Sequence, residues 1–145
     1  MQDTAGATYQ LLPPAPAAAL LPLKHAVGLT LPAELRELYQ LSNGIAEYRR
    51  VAVGEAPVLV GYLLLPAEEA AVENRQQQPQ ILAEASLLIV ARAYVDGIVF
   101  GYRRPELPAA SAAIYAWLPI DDELVKVADS LAEFLVGWAS GRISV

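Results

Sequence analysis

The chain has 145 residues, 55% of them hydrophobic and 18% charged, with a formal net charge of −6 at neutral pH. Surface scaling at that length buries about 68% of the unfolded surface, which allows one domain with a real core and no second domain of ordinary size beside it. Such a composition excludes disorder, the absence of cysteine excludes disulfides and thiolate metal sites, the single histidine excludes zinc sites built on several imidazoles, and the acidic balance argues against nucleic acid as a partner.

The longest apolar runs, such as residues 57–67, fall short of the ~20 residues a membrane helix needs. Met1-Gln2-Asp3 lacks the basic region of a signal peptide. The expectation is a cytoplasmic protein with no membrane partner.

Residues 1–10 are small and polar for the most part and read as a flexible N-terminus ahead of a domain spanning 11–145. From Leu11 to Gly28 the chain is rich in Pro and Ala. The first helix is expected over Ala17 to Ala26, with Pro22 as a kink or as the start of its second part and Gly28 as its end. The flanks of this proline cluster are apolar and read as a helix entry rather than a PxxP ligand.

The next helix is predicted over Leu31 to Asn43. Pro32 stands at its start, Glu34 and Glu37 lie near the positive end of its dipole, and Leu31, Leu35, Leu38 and Leu41 form its apolar stripe. Ser42-Asn43-Gly44 stops it, with Gly44 free to take the left-handed conformation. Two strands follow over Arg49 to Val53 and Pro57 to Leu65, separated by Gly54. Pro66 with Glu68 and Glu69 marks another helix start, and the helix is expected over Ala67 to Gln77, ended by Gln78-Pro79. Leu87 to Ala93 is almost wholly apolar, which predicts a central strand covered on both faces. Asp96-Gly97 between two apolar runs predicts a hairpin. Ala113 to Trp117 forms a further strand after a loop over Arg103 to Ser111. The last helix carries a capping box, Ser130 with Glu133, and a buried face of Leu131, Phe134, Leu135 and Trp138, closed by Gly141. This order of elements predicts an α+β domain with a mostly antiparallel sheet.

Catalytic patterns are missing. His25 lies in an apolar, proline-interrupted helix, and there is no nucleophile elbow and no phosphate-binding glycine pattern. Asp121, Asp122 and Glu123 are adjacent residues of an acidic loop that do not converge on one point without partners from elsewhere. Arg49-Arg50 and Arg103-Arg104 read as exposed charges at strand ends that limit edge pairing. No enzyme, cofactor or metal is expected.

The stretch from Leu31-Pro32-Ala33-Glu34-Leu35 through Ser42-Asn43-Gly44 resembles the opening block of the SUKH superfamily, the Smi/Knr-like proteins. Two later stretches match in order: Leu88-Ile89-Val90-Ala91 with Asp96-Gly97, and Ile114-Tyr115-Ala116-Trp117 followed by residues 127–135. Together they span about residues 20–140. The chain departs from the family at Lys24, where a Glu is usual, and at Ile98-Val99, where the turn often continues with Gly and Asp. The resemblance implies a single SUKH-like domain with helices packed on one side of the sheet and no catalytic activity. Bacterial members of that superfamily are largely immunity proteins that neutralise secreted polymorphic toxins, many of them nucleases; fungal members regulate cell-wall assembly. Two roles follow, a toxin-binding immunity protein and an intracellular regulatory or scaffold module. Residues 121–133 hold five acids against Lys126. An acidic surface steers association with a basic nuclease site. Trp117, Asp121, Asp122 and Glu123 are therefore the expected contact patch for a toxin domain.

Overall fold

Among the described residues seven strands cross a single sheet in the order of the chain, every neighbouring pair antiparallel. They are β1 (Thr8–Leu11), β2 (Ile45–Arg49), β3 (Val58–Leu64), β4 (Leu87–Arg92), β5 (Val99–Arg103), β6 (Ile114–Leu118) and β7 (Glu123–Ala128). Four α-helices accompany them among the described residues: α1 (Leu21–Val27), α2 (Ala33–Leu41), α3 (Ala67–Ile81) and α4 (Leu131–Ala139). The computed structural model describes residues 7–28, 30–50, 52–81, 87–93, 97–107, 109, 111–121 and 123–145. The α+β architecture and the antiparallel sheet are as the sequence predicts.

Most elements form where the sequence places them. A 3-10 turn over Ala17–Leu20 runs into α1, and Pro22 sits in the first turn, where its missing N–H costs no intrahelical bond. β4 is the middle strand and is buried from Leu87 to Ala91. It forms a hairpin with β5, closed by the Ala93 N–H donating to the Ile98 carbonyl at 2.9 Å. Gly97 lies in that turn at φ 67°, and Asp96 lies outside the described residues. At the start of α4 the Ser130 Oγ accepts from the Glu133 N–H, while Glu133 Oε2 accepts from the Asp129 N–H. Phe134 and Trp138 of this helix pack on Phe100 of β5, with ring centroids 4.6 and 5.1 Å apart.

Several expectations are corrected. Thr8–Leu11 is an edge strand on β2, so the boundary drawn at residue 10 falls inside an element. Its alternation is masked by a polar start and a following proline run. Of the expected stripe, Leu31 just before α2 and Leu35 within it are buried and Leu38 is half-buried against the core, but Leu41 is 76% exposed and Tyr39 is buried instead. Tyr39 wins because its hydroxyl finds an acceptor in the core, the Leu65 carbonyl, at 2.7 Å. β2 begins at Ile45 rather than Arg49, since a buried acid, Glu47, breaks the apolar pattern; Arg49 Nε lies 2.6 Å from its Oε2. α3 continues past Pro79 to Ile81, near its end, where a proline removes one bond from the last turns. Glu123–Ala128 forms β7 where an acidic loop is expected, because the run Glu123 to Lys126, with the β-branched Val125 opposite Ala116, pairs with β6 beyond a short turn.

Ser42-Asn43-Gly44 does more than end α2. Ser42 Oγ accepts from the Leu12 N–H at 3.0 Å and donates to the Gly44 carbonyl, and Asn43 Oδ1 accepts from Ala67, capping the first turn of α3 from outside. Gly44 has φ 110°, and a Cβ there would stand 2.9 Å from the Leu64 carbonyl oxygen. Glu34 is a second junction. Its Oε1 accepts from the Tyr102 hydroxyl at 2.8 Å and the Leu131 N–H at 3.1 Å, and its Oε2 from Ser111 at 3.2 Å. It thereby joins α2 to β5, to the first turn of α4 and to the loop before β6.

The sheet is weakest between β3 and β4, where the ladder reduces to Leu64↔Ala91 and the Leu65 N–H donating to the Val90 carbonyl at 2.9 Å. Beyond that point β3 has given way to α3, and the side chain of Asn74 takes its place. Its Oδ1 accepts from the Ile89 N–H and its Nδ2 donates to the Ile89 carbonyl, both at 2.8 Å. One side-chain amide thus reproduces the donor and acceptor that a strand neighbour would present.

Candidate interaction surface

The expected contact patch lies at the β6–β7 hairpin. Trp117 pairs with Leu124, and Leu118 with Glu123. Residues on successive strand positions face opposite sides of a sheet, so the Trp117 indole and the Glu123 carboxylate leave on different faces. Trp117 is half-buried and packs against the core. Asp121 is exposed in the turn, Glu123 is exposed at the start of β7, and Asp122 lies outside the described residues. The structure thus places Asp121 and Glu123 near the hairpin tip and turns Trp117 to other work.

Around Asp121 is a shallow hollow of about 170 Å³ lined by Ile98, Leu118, Pro119, Ile120, Asp121 and Val145. Ile120 is 79% exposed and Val145 50% exposed. The acidic run over 121–133 resolves into two uses. Asp129 pairs with Lys126 at 2.6 Å, which raises the lysine pKa chiefly through that hydrogen bond, and Glu133 belongs to the α4 cap. Among the described residues, Asp121 and Glu123 make no ion pair and face solvent beside the apolar tip. An exposed apolar patch with acids at its rim has the make-up of a protein-docking surface.

A second concavity was not legible in the sequence. It is a cleft of about 280 Å³ lined by Glu47 of β2, Val60, Gly61 and Tyr62 of β3, Leu65, Glu69 of α3, Arg92 of β4, Ala93 and Gly97. It continues over Leu65, Glu69 and Arg92 to Val72 and Glu73 of α3. Arg92 Nη1 stands 3.7 Å from Glu73 Oε2, a contact between charges beyond hydrogen-bond length. These residues come from five segments scattered between positions 47 and 97, and no local spacing joins them. The one signal available was Gly61 in the middle of an aliphatic strand, since an isolated strand glycine often marks a close approach or a bulge.

Neither concavity assembles a nucleophile with a base. His25 is exposed on α1, remote in sequence from both linings. Among the described residues no three His, Asp or Glu side chains stand close enough to hold a metal ion, and no helix is long and apolar enough to cross a membrane. Comparison with known families finds that the model of the SMI1 / KNR4 family (SUKH-1) matches residues 14–137. No curated protein matches the chain.

Proposed function

Since the chain belongs to the SMI1 / KNR4 family (SUKH-1), we propose that it acts by binding a protein, as an immunity protein that neutralises a bacterial toxin domain in the cytoplasm by direct contact. The observation that carries this reading is the β6–β7 tip, where the exposed Ile120 and Val145 adjoin Asp121, with Glu123 exposed at the start of β7; neither acid makes an ion pair among the described residues. Apolar surface supplies affinity on burial, and unpaired acids speed encounter with a basic partner such as a nuclease site. Among the described residues no competing catalytic constellation is assembled.

The test is co-expression with the C-terminal domain of a toxin encoded beside this gene. Rescue of growth and co-elution as a complex are expected, with Ile120→Asp abolishing both. Charge reversal at Asp121 and Glu123 is expected to slow association about tenfold at low salt and much less at high salt. Absence of both rescue and complex, together with recovery of a partner from the host's own regulatory proteins, would favour the regulatory-module reading instead.

A further inference from the structure

The cleft between β3, β4 and α3 is built around an unmet hydrogen-bond requirement. Glu73 lies on α3 with its side chain only 10% exposed, and its Oε1 is buried without a hydrogen-bond partner. Its other oxygen has only the 3.7 Å contact with Arg92. Leaving a charged acceptor buried and unsatisfied costs free energy that a folded chain normally avoids. The neighbouring Asn74 shows that this helix can satisfy a buried polar side chain fully when its role is structural.

Gly61 supplies an independent observation. A Cβ built at this position meets nothing within 4 Å, and its backbone conformation does not call for glycine. Gly101, by contrast, would place a Cβ 2.0 Å from the Leu88 carbonyl oxygen. Glycine weakens a strand interior, and at 61 no steric demand of the fold accounts for it. What it leaves is open floor in the cleft.

The charges facing this space are Glu47, Glu69, Glu73 and Arg92. Arg49 engages Glu47 at 2.6 Å, so the free balance is two carboxylates against one guanidinium. The missing group is thus a donor, preferably cationic; a carboxylate ligand would bring none. The cleft also joins the docking tip. Gly97 lines the cleft, and its neighbour Ile98 lines the hollow beside Asp121.

From these observations we propose that the cleft receives an arginine side chain of the protein partner that docks on the β6–β7 tip. A guanidinium presents five donors in a planar fork, enough to engage Glu69 and the Glu73 carboxylate together, with the buried Oε1 brought to it by a turn of the Glu73 side chain, and its flat face suits a floor with no side chain at 61. The identity of the occupant as a partner's arginine rests on the protein-binding reading above. The cationic site itself is tested without the partner.

The probe is N-acetyl-L-arginine amide, titrated into the isotopically labelled full chain while the amides of Gly61 and Gly97 are followed by NMR. Saturable shifts at both are expected, with N-acetyl-norleucine amide and sodium acetate giving none. Gly61→Val, whose Cβ enters open space, is expected to keep the wild-type melting temperature and weaken the arginine probe at least about tenfold by filling the floor. Glu73→Gln is expected to weaken it to a similar degree. Lack of saturation with the arginine probe, equal binding by Gly61→Val, or a response to acetate alone would overturn the site. The two readings separate in the toxin assay: complex formation that Ile120→Asp abolishes but Gly61→Val leaves unchanged overturns the cleft proposal and leaves protein binding at the tip intact.

Discussion

Glu34 and Glu73 are both glutamates on helices that lean on the same sheet, yet their surroundings differ in kind. Glu34 is only half-buried and accepts hydrogen bonds from three separate elements, through Tyr102, Leu131 and Ser111. Glu73 is more deeply buried and keeps one oxygen with no donor at all. Two glycines repeat the contrast: Gly101 is required by a backbone carbonyl pressed against it, whereas Gly61, between two register shifts of the β2–β3 ladder, has no atom within 4 Å of where a Cβ would stand. One region uses polar and small residues to hold the chain together, and the other leaves them open to an incoming group.

Substitutions at these four positions sharpen the contrast or break it. The largest loss is expected at Gly101→Ala, where β4 or β5 must shift to relieve a 2.0 Å approach, a cost of about 3 kcal/mol or more in denaturant unfolding. Glu34→Ala comes next, at about 2–3 kcal/mol, because it strands the buried Tyr102 hydroxyl and opens the first turn of α4. A loss below about 1 kcal/mol would remove Glu34 from its place as a structural junction.

Alkaline titration distinguishes the two regions by a different route. Burial, then the Glu34 hydrogen bond, pushes the Tyr102 hydroxyl well above the ordinary tyrosine range, and burial, then Glu68, does the same for Tyr39. Each folded-state pKa is raised, so the associated stability is complete below about pH 10, the unfolded value, and is lost as pH rises toward the folded one. Unfolding free energy is expected to fall by about 1.4 kcal/mol per pH unit for each tyrosine above pH 10, with Tyr102→Phe removing one of the two contributions.

The smallest effects belong to the open region. Glu73→Gln is expected to change stability by less than about 1 kcal/mol in either direction, since it removes an incompletely paired buried charge. Gly61→Ala is expected to be neutral or to stabilise by up to about 1 kcal/mol, the usual gain where the native backbone tolerates a side chain. A large loss at either position would mean that the cleft is part of the scaffold after all.

The sequence disclosed those parts of the fold whose causes are local. Pro22, the Ser130–Glu133 box and the apolar run of β4 each announce their element through a few adjacent residues. The stripe of α2 was misjudged because Leu and Tyr are equally apolar over most of their length, and only the distant Leu65 carbonyl decides for Tyr39. β2 was misplaced for a similar reason, its buried Glu47 being intelligible only with Arg49 folded against it. At the tip, local charge marks Asp121 and Glu123 in the sequence, while the hollow that Ile120 and Val145 line beside Asp121 depends on where the chain's last residues return. Strand register, which no local spacing discloses, puts Trp117 and Glu123 on opposite faces of the sheet.

The thin join between β3 and β4 divides the sheet into two leaves, one of three strands and one of four, held by a single ladder pair and the Leu65–Val90 hydrogen bond, with the amide of Asn74 tying α3 to β4. Glu47, Gly61 and Tyr62 stand on the first leaf, Arg92 on the second, and Glu69 and Glu73 on the helix that spans them. Anything gripped there fastens the two leaves to each other. Occupancy of the cleft is therefore linked to the rigidity of the whole sheet, so a bound group would register as slower hydrogen exchange at Ile89 and Val90, residues it need never touch.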